Sequence, residues 1–264
     1  MKPFIQIVSL FIFAIFTCHG QIIKATLLSN ESISSSRFFA IDVLSNRYYE
    51  DNGVLYKKNG DQIWQYKNLS LGKIVKIDVQ NPLKIGVFFE GFNSIVLLDN
   101  QLNEIQKITF SDSNKNSIIA NAIGIAAQNK LWFYDSISQK IGLFNCSNED
   151  FKFISTPFPG NFKHYESDFN DFQWIDSDLN WYTCNLFGTI KLIKEVPDFD
   201  KIQIINSHLL LYSREDRLFF KDFKSNTTQE VQNVDKSFEF FIYKDQILSI
   251  FTNRQIKNYK IIRP

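Results

Sequence analysis

At 264 residues, with 29 Lys and Arg against 28 Asp and Glu, the chain has no basic excess to displace counterions from phosphates, and no block of like charge stands out along it. This excludes a nucleic-acid surface. Its 27 Phe, 10 Tyr and 4 Trp, within 44% apolar residues, exclude a disordered chain, because each buried aromatic removes roughly 150–250 Å² from water.

The chain opens on residues 1–20, which read as a secretory signal: Lys2 supplies a positive start, Phe4 to Phe16 an apolar run, and Thr17-Cys18-His19-Gly20 a small-residue end. That run is too short to cross a bilayer core of ~30 Å. A mature start at Gln21 is expected, with residues 21–264 as one domain, exported to the periplasm, cell surface or medium. Cys18 admits a second reading as a lipid-anchor cysteine, which the bulk of Thr17 disfavours. No later apolar run approaches the ~20 residues of a membrane helix. Cys146 and Cys184 remain after the signal. They permit a disulfide if their Cα atoms come within about 7 Å, and otherwise read as two small buried hydrophobes.

Next comes a lone strand, Gln21 to Leu28, followed from residue 37 by units alike in rhythm rather than letters. The first, FFAIDVLSNRYYEDNGVLYKKNGDQIWQY, places Asn46, Asp51-Asn52-Gly53 and Asn59-Gly60-Asp61 between strand-like runs. Such pairs tolerate positive φ and mark hairpins. A second unit reads KIVKIDV, PLKIGVFFE, SIVLLDN and EIQKITF; a third NAIGIAA, KLWFYDS, KIGLFNC and FKFIS. The fourth shows DFQWIDS, NWYTCNL and TIKLIKE, with Pro197 to Asp200 leaving little room for an outer strand. A fifth begins at KIQIIN and a sixth at EFFIYK, the last with three strands before Pro264. A mean period near forty is that of four-stranded propeller blades, which separates this pattern from a sandwich or barrel. The predicted fold is therefore an all-β propeller of about six four-stranded blades. The strand at the mature N-terminus is expected to complete the last blade and close the ring, leaving no long unpaired edge.

Chemistry is sparse in this pattern. Only His164 and His208 follow the signal, and the zinc, thiol-redox, serine-hydrolase and P-loop motifs are missing. Most Asp residues sit in turn settings such as SDSNKN and EDNG, where they bond their own backbone. Asp176 to Trp181, DSDLNW, has oxygens at calcium-loop spacing but Trp in place of Gly, and reads as a hairpin. No catalytic residue, cofactor or metal is expected. The longest break in the rhythm is Ser155 to Asp171, where Pro157, Pro159 and Gly160 stop strands while aromatic residues abound. Phe158, Phe162, His164 and Tyr165 are the candidate residues of a partner-binding loop; the other reading packs the rings as a cover for the fourth blade. Asn30, Asn68, Asn145 and Asn226 stand in glycosylation sequons, which matter only in a host that uses them.

The stretch NPLKIGVFFEGFNSIVLLDNQLNEI, preceded by NLSLGKIVKIDVQ and followed by AIGIAAQNKLWFYD, resembles an uncharacterised group of exported propeller-like proteins of Bacteroidota. The resemblance covers most of the mature chain. It implies a propeller-like fold and a cell-envelope address, and carries over no catalytic residue. Gly60 and Trp64 are also spaced as in the quinoprotein-type repeats of outer-membrane assembly propellers. The resulting expectation is a non-enzymatic envelope propeller that binds a protein partner or acts as a scaffold, with outer-membrane protein assembly or secretion as the setting the second resemblance implies. The alternative is a carbohydrate- or small-ligand-binding propeller with its site at the mouth of a central channel.

Overall fold

The computed structural model describes residues 22–33, 35, 37–112, 118–252 and 255–262. The expected signal peptide and Cys18 lie outside these residues. Strand β1 spans Ile22–Ser32. A first unit follows with β2 (Arg37–Ile41), β3 (Arg47–Asp51), β4 (Val54–Asn59) and β5 (Gln62–Tyr66). The second holds β6 (Lys76–Asn81), β7 (Lys84–Phe89), β8 (Ser94–Leu98) and β9 (Glu104–Thr109); the third β10 (Ala120–Ala126), β11 (Lys130–Asp135), β12 (Lys140–Asn145) and β13 (Asp150–Phe153). The fourth holds β14 (Phe162–Ser167), β15 (Asp171–Asp176), β16 (Asn180–Asn185) and β17 (Ile190–Glu195). The fifth comprises β18 (Lys201–Asn206), β19 (Leu209–Arg214), β20 (Arg217–Asp222) and β21 (Thr227–Gln232). The chain ends with β22 (Phe240–Lys244), β23 (Ile247–Thr252) and β24 (Gln255–Ile261).

Each unit is an antiparallel meander in chain order. β24 pairs antiparallel with β1, Thr26 opposite Lys260 and Leu27 opposite Tyr259, with a register shift between Leu27 and Ser29. The start of β1 also pairs parallel with β21, at Ile22 to Lys24. β1 therefore covers the outer edge of β24 and joins both last sets of strands into one sheet.

Turn chemistry explains the hairpins. Asn52 and Gly53 have φ of 49° and 74° between Asp51 and Val54, the mirror-image turn whose twist matches paired strands. Glu215-Asp216 and Asp245-Gln246 adopt the same positive φ without a glycine, so these two hairpins carry no strong signal in sequence. A second device recurs: Asp42, Asp99 and Asp176 each accept two backbone N–H groups through one oxygen, and the other oxygen accepts the side-chain amide of the Asn four residues on. Asp176 thus ties the DSDLNW hairpin through its own backbone.

Apolar residues are buried between units rather than within them. One cluster sets Tyr48 and Leu55 of the first unit against Ile85 and Val96 of the second, and others join the second to the third and the third to the fourth. Two more link the fourth to the fifth and the fifth to the strands of the sixth set. The remaining cluster packs Phe38 and Tyr49 of the first unit on Phe251 and Ile256 of the last, the rings of Phe38 and Phe251 stacked with centroids 3.5 Å apart. Each fully buried Leu, Ile or Phe stabilises the fold by about 1.5–3 kcal/mol relative to exposure. Cys146 and Cys184 are free, both buried, and belong to different clusters.

One expectation is corrected. Ser155 to Asp171 is not a continuous loop: Pro157, Pro159 and Gly160 end strand structure only as far as residue 161, and Phe162–Ser167 is strand β14. It pairs with β15, His164 opposite Ile175 and Glu166 opposite Gln173. Asp168 makes the connecting turn, its Oδ1 accepting the N–H groups of Asn170 and Asp171. β14 is therefore the first strand of the fourth unit, β17 is its last, and Pro197 to Asp200 needs only to link it to the fifth.

Candidate functional site

A cavity of about 930 Å³ lies between the first strands of the units. Its walls come from β2, β6, β14, β18 and β22, with Phe39, Val79, Phe162, Tyr165, Ile204 and Phe240 among the apolar lining residues. First strands have one edge unpaired within their own sheet, so their N–H and C=O groups need partners. Side chains from the neighbouring unit supply them. Arg37 on β2 donates through Nη1 to Ile74 O at 2.9 Å and through Nη2 to Val75 O at 3.0 Å. Asp78 on β6 accepts Ile125 N–H at 2.7 Å, Glu166 on β14 accepts Ile204 N–H at 3.3 Å, and Gln203 on β18 both donates to Tyr243 O and accepts Tyr243 N–H. Lys244 on β22 donates to Asp42 O, linking the last unit to the first.

Period-two alternation sets Lys76, Asp78 and Gln80 on one side of β6. The Lys76 ammonium donates to Tyr165 O at 3.0 Å and stands 3.5 Å from the centroid of the Tyr165 ring. Burial pulls its pKa down from 10.5 to about 8, against the opposing pull of Asp78 and Glu166. Asp78 is pushed up by the same burial, although Ile125, Gln80 and Lys76 all favour its charged form. β10 packs between β6 and β14 without lining the cavity. A Cβ at Gly124 would stand 1.8 Å from Ser167 Oγ and 3.4 Å from Asp78 Oδ2, so only glycine lets β14 and β6 approach so closely.

The candidate residues from sequence divide between two sides of β14. Phe158, Phe162 and Tyr165 face the third unit. Phe158 stacks on Trp174 with centroids 4.7 Å apart, and its carbonyl accepts the Tyr134 hydroxyl at 2.7 Å. Phe162 meets Tyr134 edge-on at 4.8 Å, and Tyr165 stacks on Phe172 at 5.7 Å. Burial raises the Tyr165 phenol, whose oxygen accepts Ile123 N–H at 3.5 Å. His164 points the other way: Nε2 lies 2.9 Å from Glu166 Oε1, and the ring meets Phe199 edge-on. Phe162, His164 and Tyr165 line the cavity as well, whereas Phe158 does not. Sequence reasoning passed over Arg37, Lys76, Asp78, Gln203 and Lys244. Their signal is a polar residue alternating with apolar ones in the first strands, as in Lys76-Ile77-Asp78-Val79 and Lys201-Ile202-Gln203-Ile204. Among the described residues no group of three or more His, Cys, Asp or Glu is placed to hold a metal ion, and no helix is long and apolar enough to cross a membrane.

The sequence matches no protein-family model, nor does any curated protein match it. Solved structures do match. Virginiamycin B lyase from Staphylococcus aureus, 9% identical, aligns over 89% of this chain and 99% of its own with a TM-score of 0.56. YCF48 bound to D1 peptide, 10% identical, aligns over 89% and 99% with a TM-score of 0.57. A DUF4221 family member from Bacteroides vulgatus, 8% identical, aligns over 92% and 99% with a TM-score of 0.54. The fold is propeller-like. These neighbours include an enzyme and a peptide complex, and at such identity the likeness extends to the architecture alone.

Proposed function

We propose that the protein is an exported, non-enzymatic propeller of the cell envelope, of the Bacteroidota type it resembles, that binds a small ligand in the cavity on its axis. In this reading the four-stranded units are six blades and β1 closes the ring as the outer strand of the last. The β1/β24 pairing, the Phe38–Phe251 stack and the Lys244–Asp42 bond support closure.

The observation that carries the reading is the cavity. Its volume of about 930 Å³ lies within the ~300–1,000 Å³ of typical ligand sites, and its walls combine aromatic surface with a few convergent polar groups. Those walls come from the first strands of five different units. Catalysis is not proposed, because Asp42, Asp78 and Glu166 spend their oxygens on backbone and side-chain donors of the fold. Native mass spectrometry of protein recovered from producing cells tests the reading. A small molecule bound to the wild type and lost in Ala40→Trp, which adds bulk to the cavity wall, is expected. A wild type that carries no ligand and melts unchanged across a panel of sugars, carboxylates and peptides refutes it.

A protein partner on one face is the second reading. Turns between first and second, and between third and fourth, strands lie at one end of every unit. Val43, Leu44, Leu83, Phe169 and Phe187 are exposed there, Phe187 at 90%. The double change Leu83→Ser and Phe187→Ser is expected to release an outer-membrane or secretion component in pull-down; unchanged capture refutes this second reading.

A further inference from the structure

A second cavity, of about 410 Å³, opens at the seam where the last strands meet the first unit. Its origin lies in the register of the two facing sheets. On the last sheet Phe240, Phe251 and Ile256 stand opposite one another in a row, and on the first unit Phe38, Tyr49 and Tyr56 form the matching row. These two rows pack together. Two residues further along each strand, on the same side, the last sheet carries Ser249 opposite Asn258, and Asn258 opposite Ser29 of β1. Here short polar side chains replace the rings, and the gap between the sheets stays open, with Ile41 and Val43 on one side and Ile242, Ile247 and Leu28 on the other. Glu31, opposite Ile256 at the edge of the aromatic row, pairs with Arg47 and Lys58 and ties β1 to the first unit.

Hydrogen bonds fix the polar row. Ser249, only 5% exposed, donates to Asn258 Oδ1 at 2.6 Å, and Asn258 Nδ2 donates to Ser29 Oγ at 2.9 Å. The second amide hydrogen of Asn258 and the hydroxyl hydrogen of Ser29 then meet no acceptor among the described residues. Asp245 also lines the cavity and accepts from no side chain among the described residues. Both cations of the lining are engaged, Arg47 with Glu31 and Lys244 with the Asp42 carbonyl. Spare donors and a spare acceptor in one small cavity suit hydroxyl groups, which give and take hydrogen bonds at the same atom.

The seam cavity is a side chamber of the larger one, since Ile41, Val43, Ile242 and Lys244 line both. Val43 and Leu28 are 60% and 54% exposed on its wall, apolar surface that is stabilised when something covers it. We propose that the two cavities hold one amphiphilic ligand, with an uncharged hydroxylated head such as a glycosyl group in the seam on Ser29, Asn258 and Asp245, and an apolar tail that crosses Val43 and Ile242 into the aromatic chamber. The inference rests on the larger cavity being the ligand site and adds the class of ligand that enters it.

Calorimetric titration of the purified protein with octyl glucoside below its micelle concentration, with methyl glucoside and with octanol tests this. Octyl glucoside is expected to bind, and the other two at least tenfold more weakly, because each fills one chamber. The double change Ser29→Ala and Asp245→Gly is expected to weaken octyl glucoside roughly tenfold, the loss of two hydrogen bonds, and to leave octanol as it is. Glycine adopts the φ of 49° at Asp245 without strain. Ala40→Trp is expected to reduce octyl glucoside to the affinity of methyl glucoside. Thermal melts establish that each variant is folded. Equal affinity for octyl glucoside and octanol, or wild-type affinity in the double variant, overturns the inference; loss of octanol binding in Ala40→Trp then still leaves the larger cavity as a ligand site. Octyl glucoside bound alike by wild type and Ala40→Trp overturns both. Absence of binding by all three probes also overturns the inference, and native mass spectrometry then decides the cavity reading by itself.

Discussion

Lys76→Met probes the most perturbed cation in the cavity. In the unfolded chain this amine holds its proton up to pH 10.5, whereas in the folded protein it releases it near pH 8 because burial penalises the ammonium. Between those values the unfolded state binds more protons, so wild-type stability rises with pH. The contribution is full above pH 10.5 and is lost as pH falls through about 8. A gap of about 2.5 pH units, at about 1.4 kcal/mol per unit, sets a ceiling of about 3.5 kcal/mol. Lys76 keeps part of its surface on the cavity, so about 1–3 kcal/mol is expected after solvent screening. The Met variant has no such group. Urea unfolding followed by tryptophan fluorescence at pH 7, 8, 9 and 10 measures both proteins, and their difference cancels most other titrations. Wild-type stability minus variant stability should rise by that amount across the series. A difference constant within about 0.5 kcal/mol would refute the reasoning, since it would mean that the ammonium is solvated through the cavity.

Other consequences concern the frame that holds the site. Gly188 has φ of 81°, and a Cβ there would stand 1.8 Å from the Ile154 carbonyl oxygen. Gly188→Ala is expected to cost about 3 kcal/mol or more by thermal melting, and an unchanged melting temperature contradicts the backbone contact. Phe158→Ala removes the ring stacked on Trp174 and should lower stability by about 2 kcal/mol in urea unfolding. Simultaneous loss of Phe158, Phe162 and Tyr165 therefore damages the fold as well as any partner surface. Cys184 is fully buried and its thiol is pushed up to about 12, mainly by burial. A thiol reagent at pH 8 should modify it only as fast as the protein unfolds, and rapid labelling of native protein would contradict the packing. Deleting Ile22–Ser32 uncovers the edges of β24 and β21. Higher oligomers in size-exclusion chromatography are expected, and a stable monomer would show that β1 is dispensable.

Strand existence was legible in the letters because alternation and turn residues are local. The run from Lys84 to Phe89 between Asn81 and the Glu90 turn became β7, and Asn52-Gly53 made the expected turn. The first strand of the fourth unit was not legible: Pro157, Pro159 and Gly160 dominate their neighbourhood, and β14 owes its form to pairing with β15 and to aromatic packing on Trp174 and Phe172. Hairpins at Glu215-Asp216 and Asp245-Gln246 were equally faint, since the flanking strands impose positive φ on residues that do not prefer it.

The candidate site divides along the same line. Sequence by itself determined an all-β repeat rich in aromatic residues, with its acidic groups drawn into turns such as Asp42 and Asp176, because those properties follow from neighbours within a few positions. Only the tertiary structure decided that Arg37 reaches the carbonyls of Ile74 and Val75, that Lys76 meets Tyr165 across 89 residues of chain, and that Asp78 reaches the backbone of Ile125. These groups are brought together by the unpaired edges of first strands from separate units. The need of those edges for partners is a property of the assembled sheets, and no stretch of the chain displays it alone.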